Sequence, residues 1–204
     1  MASPKVTVLA FDLYGTLLST ESIAEKLAEY FGLEKGQSIA GLWRRYQLEY
    51  TWRLNSMDLD QDSTQSLMEG YDCLSAFPDT PVVFSNGTIS MISNSVLRSR
   101  DLSPYASIFR DIISVNPVKE FKPAPDTYWH LADTAGKDRS QMDEMWLISS
   151  NPFDVMGAAN VEMKTAWVDR TGLGWIDSMS GEVRPVVVAR DLNEAVRAIE
   201  SCEY

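Results

Sequence analysis

Residues 8–17 read VLAFDLYGTL. The run from Val6 to Phe11 is apolar and stops on a carboxylate, Asp12, which a Gly-Thr turn follows. A short, β-branched run of this kind suits a strand buried on both faces of a parallel sheet.

The pattern repeats along the chain. Residues 81–88 (PVVFSNGT), 109–115 (FRDIISV), 145–151 (MWLISSN), 164–169 (KTAWVD) and 184–189 (RPVVVA) read as further strands. Between them, residues 88–98, 122–136, 154–162 and 192–201 have helical spacing, and 122–136 opens on prolines and closes at Gly136. Strand–helix alternation predicts an α/β fold: a Rossmann-like, doubly wound parallel sheet with helices on both faces.

Residues 18–80 break the alternation and read as wholly helical. One helix is expected over 20–31, capped by Ser19 or Thr20 and stopped at Gly32, and a second over 38–54. On the second, Ile39, Leu42, Trp43, Tyr46 and Tyr50 fall on one stripe. Arg44, Gln47, Leu48 and Thr51 fall on another. The aromatic residues Trp43, Tyr46, Tyr50 and Trp52 read as helix packing. The expected organisation is a core of residues 1–17 and 81–204, with 18–80 as a small helical cap over the sheet's carboxyl edge.

Composition narrows the function. The 204 residues have a formal net charge of −11, which argues against nucleic acid or an anionic membrane as partner. Two cysteines, Cys73 and Cys202, make neither a disulfide framework nor a metal cluster. No apolar run is long enough to span a membrane, and the N-terminal residues lack a signal-peptide layout. A cytoplasmic protein is expected.

Ligands of such sheets bind where the strands end. The strand ends collect Asp12, Tyr14 and Thr16, then Ser85 and Asn86, then Ser149, Ser150, Asn151 and Asp154, with Lys122 just before a helix. Taken singly, each has an ordinary reading. Asp12 suits a turn, Lys122 and Arg44 suit solvated charges, and Asp154 suits a helix cap. Thr16 suits a turn bond as well as it suits catalysis. The sole histidine, His130, sits between Trp129 and Leu131 in a helix and reads as structural.

In combination and order, FDLYGTL, LWRRYQLEYTW, FSNGT, FKPAPDTY and SSNPFDVMGA resemble the haloacid dehalogenase superfamily, and within it the L-2-haloacid dehalogenases. KTAWVDR continues the likeness. The resemblance implies hydrolysis of L-2-haloacids to D-2-hydroxyacids through an ester on Asp12, with no metal and no cofactor. It implies that Lys122 keeps Asp12 ionised, with Tyr128 supporting Lys122. It puts the substrate carboxylate on Ser85 and the backbone N–H groups near Leu13 and Tyr14. Arg44, Asn86 and the edge of Phe153 cradle the halide. Asp154, held by Ser149 and Asn151, handles the water. The partner is a small 2-haloacid or related carboxylic acid, and a homodimer is implied.

Two departures separate the chain from phosphoryl-transfer members. The acid expected two residues after the nucleophile is Tyr14, and a magnesium-holding acid is Ser150. Halide needs no proton to leave, whereas an alkoxide does, and one carboxylate fewer weakens a magnesium site. A third departure is a short cap. Residues 58–80 hold less material than the family has there, and the helix expected before PVVFS is missing. A small cap would expose the site to water and admit larger substrates. A phosphatase of this superfamily, or a relative with altered or lost activity, stand as the alternatives.

Overall fold

The computed structural model describes residues 7–18, 21–57, 81–99, 102–175, 177, 181 and 183–203, without the side chains of 21–23, 47, 50–57 and 203. The cap candidates Ser19 and Thr20, the short stretch 58–80 with Cys73, and the side chains of Gln47, Tyr50, Thr51 and Trp52 lie outside the described residues.

Six parallel strands form one sheet in the order β3-β2-β1-β4-β5-β6. They are β1 (Val8–Asp12), β2 (Pro81–Ser85), β3 (Asp111–Ser114), β4 (Met145–Ser149), β5 (Lys164–Val168) and β6 (Val187–Ala189). The helices are α1 (Glu21–Phe31), α2 (Leu33–Met57), α3 (Ile89–Arg98), α4 (Pro125–Thr134), α5 (Pro152–Asn160) and α6 (Leu192–Glu203). The expected doubly wound α/β sheet is therefore present.

Period-two alternation divides the core. Leu9, Phe11, Val83, Trp146 and Ile148 face one side, where Ile92 and Val96 of α3 and Val196 and Ile199 of α6 cover them. Val8, Ala10, Val82, Phe84 and Leu147 face the other, against Tyr128 and Leu131 of α4 and Ala158 of α5. The same alternation gives Asp12 the parity of Val8 and Ala10. Its carboxylate emerges on the α4–α5 side, at the carboxyl end of β1. The chain winds outward from β1 in one direction through β2 and β3, and in the other through β4 to β6. Asp12 and Ser149 flank that switch point, because Phe11 pairs with Ile148.

The second helix of residues 18–80 starts earlier than its spacing suggests, at Leu33 rather than 38. Gly32, with φ +82°, alone separates it from α1. Gly36 lies against α1, where a Cβ would stand 2.6 Å from the Ala28 nitrogen. The glycine is a contact point that lets two helices close on each other. The expected aromatic packing stripe is not a packed one among the described residues. Trp43 and Tyr46 are each 46% exposed.

Gly157 on α5 meets a similar demand under the site. A Cβ there would run into Tyr128 Oη and stand 2.7 Å from Pro123 Cβ. Gly157→Ala is therefore expected to lower unfolding free energy by about 1–3 kcal/mol through overpacking. Urea denaturation checks this, and an unchanged midpoint would contradict the packing described.

Candidate active site

The carboxyl ends of β1, β3 and β4 and the segments that follow them bring three buried charges together. Lys122 Nζ lies 2.8 Å from Asp12 Oδ1 and 2.7 Å from Asp154 Oδ2, and all three side chains are at most 6% exposed. The ammonium also donates to the Phe84 carbonyl at 3.2 Å. Burial alone would push the Lys122 pKa down, but the two carboxylates outweigh it and hold the pKa above the ordinary lysine value. Burial pushes Asp154 up, and Lys122 offsets this only in part.

Asp12 Oδ2 is a convergence of donors. It accepts from Thr16 Oγ1 at 2.8 Å, Asn151 Nδ2 at 2.7 Å and Ser149 Oγ at 3.4 Å. Asn151 Nδ2 also reaches the Tyr14 carbonyl at 3.1 Å. Thr16 has one proton, and it goes to Asp12; its lone pair takes the Ser150 N–H at 2.8 Å. Gly15, at φ +91°, makes the turn that folds Thr16 back over the strand end.

Ser149 and Asn151 thus do not hold Asp154, contrary to the sequence reading; they hold Asp12. The parity of β4 explains this, because Ser149 shares a face with Met145 and Leu147, beside Asp12. Asp154 does not cap its helix either. Asn151 occupies the cap position of α5, and the fully buried Asp154 carboxylate turns inward, since without a cation there it would carry a large desolvation cost. Tyr128 does not touch Lys122 directly. Its hydroxyl donates to Asp154 Oδ1 at 2.7 Å and so supports the lysine through the carboxylate. Burial, then the adjacent Asp154, lifts the Tyr128 pKa well above the ordinary phenol value.

A small pocket opens on this cluster. It is lined by Asp12, Tyr14, Arg44, Ser85, Asn86, Lys122, Asn151 and Phe153, all expected from the sequence. Its free space is about 40 Å³, roughly three water-sized positions at about 10–15 Å³ each. That suits a ligand of a few heavy atoms. Arg44 Nη2 reaches Asn151 Oδ1 at 3.2 Å and the Tyr14 carbonyl at 3.4 Å. Burial lowers the Arg44 pKa from its ordinary value, with the nearby Asp12 opposing. Tyr14 hydrogen-bonds through its hydroxyl to Ser95 Oγ of α3 at 3.1 Å. Burial is the main cause that raises its pKa. Asn86 Oδ1 accepts the Lys122 backbone N–H at 2.8 Å, which places the lysine. Leu13 contributes no side chain to the pocket and is buried in the core.

Some residues escaped the sequence reading. Leu48, Gly87 and Phe121 also line the pocket. Leu48 had a signal, standing one helical turn after Arg44 on the same stripe. Arg170 binds the Gly15 and Thr16 carbonyls and Ser150 Oγ; it lies just past the end of β5, where the strand-end rule would have found it. Among the described residues no helix is long and apolar enough to cross a membrane, and no group of three or more His, Cys, Asp and Glu stands ready to hold a metal.

No family model matches the chain. Known proteins do. The L-2-haloacid dehalogenase structure from Xanthobacter autotrophicus with chloropropionic acid covalently bound superposes with a TM-score of 0.80, at 23% identity, covering 96% of this chain and 98% of that one. That likeness bears on the fold. In sequence, the chain is 28% identical over 207 residues to haloacetate dehalogenase H-2 of Moraxella sp. (strain B), covering 84% of this chain and 89% of the relative. It is 30% identical over 196 residues to the (S)-2-haloacid dehalogenase of Pseudomonas sp. (strain YL), covering 80% of this chain and 83% of the relative. With that identity spread over four-fifths of both proteins, the chain belongs to the (S)-2-haloacid dehalogenase family.

Proposed function

We propose that the protein is a hydrolase that cleaves the carbon–halogen bond of small L-2-haloacids and releases D-2-hydroxyacids through an ester on Asp12, without a metal. The observation that carries this reading is the unequal occupation of the Asp12 carboxylate. Among the described residues, Oδ2 accepts three hydrogen bonds and Oδ1 one. Oδ1 therefore keeps a lone pair for in-line attack on the substrate's second carbon. The new C–O bond forms as the C–halogen bond breaks, and the electron pair leaves with the halide, inverting the carbon.

The second step uses the other oxygen. Water attacks Asp12 Cγ and gives its proton to Asp154, whose burial makes it the stronger base. Negative charge develops on Oδ2, where Thr16, Asn151 and Ser149 already donate, an arrangement that favours the tetrahedral intermediate. The Cγ–Oδ1 bond then breaks. Lys122, at Oδ1, gives a proton to that oxygen as it leaves and takes one back from Asp154, and the proton left on the new Asp12 carboxyl passes to solvent. The product hydroxyl thus comes from Asp12, and water replaces it in the carboxylate.

The pocket wall supports the same substrate class. Ser85 and the backbone N–H groups near Leu13 and Tyr14 are assigned to the substrate carboxylate. Arg44, Asn86 and the electropositive edge of Phe153 are assigned to the halide. Because α2 delivers Arg44 and Leu48 to the pocket, residues 18–80 are assigned as a cap over the core of 1–17 and 81–204. A cytoplasmic location and a homodimer belong to the same proposal. The phosphatase alternative is weaker. Tyr14 stands where a leaving alkoxide would need an acid, and its hydroxyl is bonded to Ser95 with a raised pKa.

Halide release from the two enantiomers of 2-chloropropionate tests this directly. The L form is expected to react and give D-lactate, with or without chelator, and Asp12→Asn is expected to lose at least about 1,000-fold in rate. No release from either enantiomer by folded protein would overturn the proposal.

The pH dependence follows from Lys122. Its native pKa is raised, so its favourable pairing is intact below the unfolded lysine pKa of about 10.4. That pairing is lost only as pH rises through the still higher native value. No alkaline fall in kcat/KM from loss of the Lys122 charge is expected below about pH 10, and a limb near pH 8 would contradict a charged Lys122 in the free enzyme.

A further inference from the structure

Arg170 stands apart from the pocket wall yet touches the nucleophile's turn from behind. Its Nη1 donates to the Gly15 carbonyl at 3.1 Å and to Ser150 Oγ at 2.7 Å, and its Nη2 donates to the Thr16 carbonyl at 2.6 Å. One planar guanidinium thus spans the turns after β1 and after β4. A rigid fork of N–H groups can hold three acceptors at once, which a lysine ammonium on its flexible stem does with less order.

The anchor is itself fixed. Asp169, the preceding residue, donates its N–H to the Ala189 carbonyl at 2.7 Å. Its carboxylate accepts from Thr171 Oγ1 at 2.7 Å, Gly172 N at 2.9 Å and Gly174 N at 2.8 Å. Arg170 therefore extends from a braced turn at the end of β5 and β6 toward Asp12.

The path to the carboxylate is short and made of hydrogen bonds. Arg170 holds the carbonyl of Thr16 and the side chain of Ser150. The Ser150 N–H occupies the Thr16 hydroxyl's lone pair. With that acceptor site taken, the hydroxyl proton is directed to Asp12 Oδ2. Any drift between the two turns would rotate that proton away.

We propose that Arg170, acting with Ser150, is a positioning residue for dehalogenation: a clamp that aims the Thr16 hydroxyl, and through it the Asp12 carboxylate, without touching substrate. The proposal rests on Asp12 as nucleophile. It sets Arg170 apart from Arg44, which lines the pocket and is assigned to the halide. Loss of the clamp acts on the chemical steps and leaves substrate affinity in place.

The test is steady-state formation of D-lactate from L-2-bromopropionate by wild type, Arg170→Met, Arg170→Lys and Ser150→Ala, each with a thermal melt. Arg170→Met is expected to lower kcat by about 10- to 100-fold, the scale of a small misplacement of a reacting group, with KM changed less than about twofold. Guanidinium sulfate at tens of millimolar is expected to restore part of the Arg170→Met rate and to leave wild type unchanged. Arg170→Lys is expected to fall between the two. Ser150→Ala is expected to lose less, and the Ser150→Ala/Arg170→Met double variant less than the sum of the singles, because both act through one network.

Wild-type kcat in a folded Arg170→Met overturns the clamp, as does a loss confined to KM. A rate loss that guanidinium does not restore also overturns it and leaves a merely structural role. Should Arg170→Met fail to fold, Arg170→Lys and Ser150→Ala decide: full wild-type kcat in both rejects the proposal. No lactate from wild type would instead remove the nucleophile reading on which the clamp stands, an outcome distinct from activity that survives without Arg170.

Discussion

One ammonium between two carboxylates organises this protein. Lys122 is 2% exposed and Asp154 is fully buried, so neither charge is stable there without the other. The trio still bears one excess negative charge. Hydrogen bonds from Thr16, Ser149, Asn151 and Tyr128 spread that charge over neighbouring dipoles. Each donor has its own place in the fold: a turn after β1, the end of β4, the cap position of α5, and the buried face of α4. The sheet's switch point is where these four can meet.

Those donors also make the two oxygens of Asp12 unlike each other. A free carboxylate is symmetric, and its nucleophilicity is shared. Among the described residues, Oδ2 accepts three hydrogen bonds and Oδ1 accepts from the ammonium alone. The asymmetry divides two chemical tasks, attack and charge acceptance, between two atoms of one residue. It also gives a reason for Tyr14 where phosphoryl-transfer members carry an acid. Halide leaves unprotonated, so the position is free to become pocket wall, and the bond to Ser95 fixes the ring there.

Much of this was legible in the sequence, and the reasons are physical. Strand runs such as VLAFD and MWLIS are short, apolar and end on polar residues, so both the sheet and its reactive edge could be read. Ser85, Asn86 and Asn151 follow from the strand-end rule, and Lys122 from its place at the start of KPAPDTY, just before a helix. What could not be read was who holds whom. The resemblance pairs Ser149 and Asn151 with Asp154, but the end of β4 turns their side chains to Asp12. Asp154 looked like a helix cap by position, yet a buried cation draws it inward. The start of α2 at Leu33 rather than 38 could not be read, because the role of Gly36, a close contact with Ala28 of α1, depends on a partner helix. Arg170 stands just past the end of β5, within reach of the strand-end rule, but what it binds, two backbone carbonyls and a hydroxyl, does not announce itself in a sequence.

The central claim is that Asp12, and not water, attacks the substrate. A single turnover in oxygen-18-labelled water, with enzyme in excess over L-2-chloropropionate, tests it most directly. The account predicts unlabelled lactate, and the label appears in the peptide that contains Asp12. Label in the lactate after that first turnover, with Asp12 unlabelled, would mean that water attacks carbon directly and would contradict the ester on which every step above depends.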